Sequence, residues 1–165
     1  MSVPLAARAD PTLSAEARLQ ELGIELPIAT PPVASYIPVV VSRGLAFVAG
    51  QVPLEGGKPL VTGRLGDEIT TEDAAGWARR CGLQILAALR SELGSLDRVT
   101  RIVKVGVFVA CTDDFTEQPK VANGASDLFG EVFGDAGKHA RAAVGVPALP
   151  LGVPVEVDLV AEVSG

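Results

Sequence analysis

Hydrophobic positions change their spacing several times along this chain, and each change marks an element. From Ile37 to Val41 and from Leu45 to Ala49 apolar and β-branched residues crowd together, with Ser42-Arg43-Gly44 between them, which predicts two strands joined by a hairpin turn. Gly50-Gln51-Val52-Pro53-Leu54 closes the second strand, and Glu55-Gly56-Gly57-Lys58-Pro59 reads as a loop. Thr70 or Thr71, followed by Glu72 and Asp73, supplies a helix start. Beyond it Ala74, Ala78, Cys81, Ile85, Leu89 and Leu93 recur at spacings of three and four, so an amphipathic helix runs to about Gly94. Val99 to Cys111 is β-branched and predicts a strand with a buried face. A second helix spans roughly Gln118 to Phe133, with Val121, Ala125, Leu128, Phe129 and Val132 inward and Gly134 as its stop. Ala142 to Val146 and Val155 to Val163 complete the pattern as strands, parted by the turn Pro147-Ala148-Leu149-Pro150-Leu151-Gly152.

The order β-β-α-β-α-β-β sets single helices between groups of strands, which predicts an α+β fold rather than a doubly wound sheet. A sheet of four to six strands with both helices on one side leaves its other face apolar, and burial against copies of itself is the simplest remedy. Ahead of this unit, Ser14 to Leu22 has a serine cap, helix formers and a terminating Gly23, and Pro27 to Pro32 forms a connector that cannot be helical. Residues 1–33 therefore read as a helical extension and 34–165 as the domain proper.

Composition narrows the functional classes. A chain of 165 residues with 48% hydrophobic and 21% charged residues can bury a core without disulfides or metal. Aromatics, at 4%, are too few for a base-stacking platform, and a net charge of −6 argues against nucleic acid as a partner. Cys81 and Cys111 are far apart with no CxxC or clustered histidine, so neither zinc nor a disulfide framework is indicated and a reducing, cytoplasmic setting fits. The start lacks a continuous apolar segment and no run of about 18 apolar residues occurs, so no membrane association is expected. Phosphate loops, dinucleotide fingerprints, GxSxG and HExxH are all absent.

Few residues remain to carry chemistry. Arg141 stands at the mouth of an apolar strand and needs an anionic partner, which is either a structural acid or a ligand carboxylate gripped by its planar fork. Alternation along Val155-Glu156-Val157-Asp158-Leu159-Val160 puts Glu156 and Asp158 on one strand face, where they are either solvated or partnered. Tyr36, the only tyrosine, reads as a packing residue or a ligand contact; His139, the only histidine, reads as a solvated loop residue. Both cysteines read as buried structural thiols.

Taken in order, these residues resemble the Rid/YjgF family of reactive-intermediate (enamine/imine) deaminases. The matching pieces are Tyr36, Phe47-Val48-Ala49-Gly50-Gln51-Val52-Pro53, Val103-Lys104-Val105-Gly106-Val107-Phe108-Val109 leading to Asp114-Phe115, and a closing signature of Ala140-Arg141-Ala142-Ala143-Val144, Leu149-Pro150 and Val155-Glu156-Val157. The resemblance covers about residues 34 to 163. It implies a chorismate-mutase-like fold with a mixed sheet of about six strands, a homotrimer, and clefts between subunits. It also implies that Arg141 grips a substrate carboxylate and that Glu156 positions the water attacking an imine carbon. Tyr36, Gly50, Asn123, Ala143 and Pro150 would line the cleft, and no cofactor or metal is required. The implied reaction converts 2-aminoacrylate-type enamine or imine acids to 2-keto acids and ammonia. A non-catalytic module binding small carboxylates through Arg141 is the alternative, and the endoribonuclease label attached to parts of the family sits poorly with the acidic charge. The Gly-Pro usual before the tyrosine is Ala34-Ser35 here, and the stretch Glu55 to Glu68 is longer than in the compact archetype.

Overall fold

The computed structural model describes residues 12–29, 31 and 35–165; the reading of the chain start and of part of the proline-rich connector lies outside them. Five strands form one sheet in the order β1-β2-β7-β5-β6, built from β1 (Val39–Ser42), β2 (Leu45–Gln51), β5 (Val99–Ala110), β6 (Ala140–Val146) and β7 (Val155–Val163). All neighbours are antiparallel except β5 and β6, which run parallel from Lys104↔Ala140 to Ala110↔Val146. That parallel pairing requires a crossover, and α3 (Gln118–Phe133) provides it.

The sheet has five strands rather than about six. The remaining paired residues, β3 (Leu54–Glu55) and β4 (Lys58–Pro59), make a separate two-stranded ladder within the segment expected to be a loop, turning on Gly56 and Gly57. The first strand begins at Val39 rather than Ile37, since Pro38 offers no N–H to a ladder.

Two long helices cover one face. In α2 (Thr71–Leu93), the Thr70 hydroxyl accepts from the Asp73 N–H at 3.1 Å and Gly94 closes the helix in the left-handed region at φ +82. Its inward stripe, Ala78, Cys81, Ile85 and Leu89, is fully buried, as are Val121, Ala125, Leu128, Phe129 and Val132 of α3. The two helices cross closely at Gly124, where an added Cβ would stand 1.8 Å from the Ala75 carbonyl oxygen. From the sheet, Ala46, Val48, Val105, Val107, Val157, Leu159 and Ala161 meet this layer. Burying each large apolar side chain here contributes roughly 1.5–3 kcal/mol.

The opposite sheet face has no helix over it among the described residues. Val40, Phe47 and Val144 point that way and are 47%, 45% and 44% exposed. Glu156 and Asp158 share this open face, because the buried residues of β7 are the odd-numbered ones.

The N-terminal helix α1 (Ala15–Glu21) packs on α3 and on the short 3-10 turn Leu96–Arg98. Leu19 joins the common core, and Glu16 accepts from the Leu96 N–H at 2.9 Å and from Arg90 Nε at 3.0 Å. No helix among the described residues is long and apolar enough to cross a membrane.

Candidate functional site

Arg141 occupies the edge strand β6, paired with Val105 and therefore directed to the helix side of the sheet. There α3 receives it: Nη1 donates to Asn123 Oδ1 at 2.9 Å and to Ser126 Oγ at 3.0 Å, and Nη2 donates to the Pro119 carbonyl at 3.3 Å. All three acceptors are neutral, and among the described residues no acidic side chain pairs with Arg141. A guanidinium has five N–H donors, so Nε–H and one Nη2 hydrogen remain for a further acceptor. Of the two explanations open for this arginine, a structural acid is absent.

Ser126 is itself held in place. His139 Nδ1 lies 2.6 Å from the Gly137 carbonyl, an acceptor only, so that nitrogen carries a hydrogen and, in the neutral ring, Nε2, 2.9 Å from Ser126 Oγ, accepts. Ser126 thus donates to His139 and accepts from Arg141. The histidine is not the solvated loop residue expected: it is half-buried, with both nitrogens bonded and its ring edge-on to Phe129 at 6.0 Å. Sequence gave no sign of this relay, because Ser126 and His139 are thirteen positions apart across the end of a helix.

Glu156 lies on the open face, opposite Phe108 of β5. Strand β2 bulges between Val48 and Gln51, and Gly50 at this bulge lets the Glu156 carboxylate lie against the backbone, since a Cβ there would be 2.0 Å from Oε1. Gly106 does the same for Asp158, with a Cβ position 2.2 Å from Oδ1. Burial pushes the Glu156 carboxyl above its ordinary range, and the neighbouring Asp158 charge adds to the effect. Burial raises Asp158 too, against a backbone hydrogen bond at Gly106 and the charge of Lys104.

Within one chain the expected site residues fall into two groups. Arg141, Asn123 and half-buried Ala143 gather at the helix side of the β6 edge, whereas Gly50 and Glu156 share the open face of the central strands. Tyr36, 50% exposed, precedes β1, and Pro150 is exposed in the 3-10 turn Pro150–Gly152. Both cysteines are buried, and desolvation pushes the Cys81 thiol strongly up, away from thiolate chemistry. No group of three or more His, Cys, Asp or Glu is placed to hold a metal among the described residues.

A mixed sheet backed on one face by two helices, with Arg141 and Glu156 on its opposite faces, is a chorismate-mutase-like α+β architecture. A family described as "YjgF/chorismate mutase-like, putative endoribonuclease" matches residues 16–163, and the chain belongs to that YjgF family. Protein TCP17 of Trypanosoma cruzi is 47% identical over 149 residues, covering 90% of this chain and 93% of its own. The mitochondrial protein mmf1 of Schizosaccharomyces pombe is 31% identical, covering 87% of this chain and 79% of its own. Among solved structures, the Agrobacterium tumefaciens protein Atu1372, of unknown function, superposes with a TM-score of 0.83 at 42% identity, covering 91% of this chain and 92% of its own.

Proposed function

We propose that this protein hydrolyses reactive 2-imino and 2-enamino acids to 2-keto acids and ammonia, working as a homotrimer whose clefts lie between subunits. The observation that carries the reading is Arg141, oriented by three neutral acceptors with two donors left over and, among the described residues, no acidic partner. The open apolar face around Phe47 and Val144 supports assembly, because burial against other copies removes it from water.

The chemistry follows from the residue types. Arg141 of one subunit holds the substrate carboxylate through Nε and Nη2 and fixes the imine carbon against Glu156 of the next. Glu156 takes a proton from water as the oxygen bonds to C2, and the C=N π pair moves onto the protonated nitrogen. The carbinolamine then collapses: the Glu156 proton passes to the amine, the C–N bond breaks to release ammonia, and the hydroxyl returns its proton to the Glu156 carboxylate as its O–H electron pair becomes the C=O bond of the 2-keto acid. A glutamate whose carboxyl sits above its ordinary range suits both steps better than an exposed one. The free, buried thiols suit a reducing compartment such as the cytoplasm. The endoribonuclease label carried in the family description finds little support in a chain of net charge −6.

The test is ammonia release from freshly generated 2-aminoacrylate or 2-iminobutyrate, with wild type and Arg141→Ala compared at equal oligomeric mass. Acceleration lost in the variant is the expected result. A correctly assembled wild type giving none would overturn turnover, and 2-ketobutyrate binding that survives Glu156→Gln would leave carboxylate capture as the function.

A further inference from the structure

A second cleft, of about 690 Å³, lies away from both site faces, between the outer side of α2, the β3–β4 hairpin and the segment that follows α1. Its walls are apolar: Pro27, Ile28 and Leu54 line it, and Ile28 is 95% exposed with nothing laid over it among the described residues. Three side chains break this apolar surface. Gln84 is only 6% exposed, and its Oε1, cut off from solvent, has no hydrogen-bond partner among the described residues. Arg80, one turn earlier, has a buried Nε without a partner among the described residues, and its Nη2 reaches Glu55 only at 3.5 Å. Glu55, with its side chain 72% exposed, stands at the mouth.

Buried polar groups are nearly always bonded, and one left open on a helix face beside a cleft marks a place where something else can bond. Here the open groups are of both kinds. Arg80 offers donors and a positive charge, Gln84, one helical turn along α2, offers an acceptor, and Glu55 on β3 offers acceptors and a negative charge. A lone carboxylate answers only the first, and a lone amine only the second.

We propose that this cleft binds an apolar α-amino acid as its zwitterion. The carboxylate lies on Arg80, the ammonium faces the exposed Glu55 and, with the Gln84 amide turned toward the cleft, donates to its Oε1, and the aliphatic or aromatic side chain rests on Pro27, Ile28 and Leu54. A pocket of this size with apolar walls and a few convergent polar groups is the usual form of a small-molecule site. The proposal is independent of the imine chemistry assigned to Arg141 and Glu156.

Calorimetric titration of the full chain with L-leucine, L-methionine and L-phenylalanine tests it, with 4-methylpentanoate and isoamylamine as probes lacking one charge each. The amino acids are expected to bind, the single-charge probes to bind about tenfold more weakly or worse, and Arg80→Met or Gln84→Leu to lower leucine affinity by about tenfold or more. Gln84→Leu is also expected to raise Tm, since it removes a buried unpaired acceptor at similar volume; a raised Tm with leucine affinity unchanged would make Gln84 a packing residue and overturn the site. The absence of heat with all three amino acids would overturn the proposal. So would equal binding of 4-methylpentanoate, or leucine binding that survives Arg80→Met and disappears in Arg141→Ala, which would place it in the other cleft.

Discussion

Glu156 rests on the backbone of Gly50: a methyl group at residue 50 would come within 2.0 Å of Glu156 Oε1 and 3.0 Å of its Cδ. The obstructed atoms belong to the end of a flexible side chain, so the strand can keep its path while the carboxylate moves. Gly50→Ala is therefore expected to change Tm little and to lower kcat/KM for imine hydrolysis by about 10–100-fold, the scale of loss for a misplaced catalytic group. Paired thermal melts and ammonia assays check this; a large Tm loss with unchanged specific activity would contradict it.

Arg141→Lys keeps the charge and loses the fork. With the substrate carboxylate held on the fork as proposed, kcat/KM should drop by about 10–100-fold, mostly through KM, while the melting curve stays close to that of wild type. Steady-state kinetics on a 2-imino acid would separate the two parameters.

Ser126 links Arg141 to His139, with bonds of 3.0 and 2.9 Å. Ser126→Ala leaves one guanidinium donor and one imidazole acceptor without this partner, at a cost of about 0.5–1.5 kcal/mol in stability. A several-fold rise in KM should accompany it. Ser126→Thr, which keeps the hydroxyl, should recover most of the affinity.

The raised Glu156 carboxyl has a definite sign in stability. Below its ordinary value of 4.5 the group is protonated in folded and unfolded chains alike and costs nothing. As pH rises, the unfolded chain releases its proton first, and stability falls until the folded group has ionised as well. Glu156→Gln should therefore melt higher than wild type at pH 7, by a margin that shrinks toward zero as pH drops below 4.5. In activity, the acidic limb of the wild-type profile should lie above that of an ordinary carboxylate. Thermal melts and rates across the acid range would show both.

Helix α1 belongs energetically to the domain. Leu19 is 2% exposed in the shared core, so Leu19→Ala should cost roughly 2–5 kcal/mol, measured as a shift of a single denaturation transition. A second, separate transition would show instead that α1 unfolds independently.

Much of this architecture is legible in the residue pattern, for local reasons. Thr70, the stripe from Ala74 to Leu93 and Gly94 delimit α2 unaided, because cap, period and stop all act within a few residues. Alternation in β7 assigns Glu156 to one face and Val157 to the other. What stays hidden depends on contacts distant in sequence. The β3–β4 ladder is held by two pairs of residues and carries no periodicity. The bulge that admits Glu156 to Gly50 arises only when β2 meets β7. The closing signature names Arg141 and Glu156 together, yet only the strand order and register reveal that they face opposite ways.

That opposition has a genetic consequence. In the proposed assembly, a chain lacking Arg141 and a chain lacking Glu156 would each be inert alone, but co-assembled they would regenerate an intact cleft wherever a good arginine meets a good glutamate. Two dead alleles would then complement one another, and a chain lacking both residues would disable the two clefts it shares with healthy neighbours.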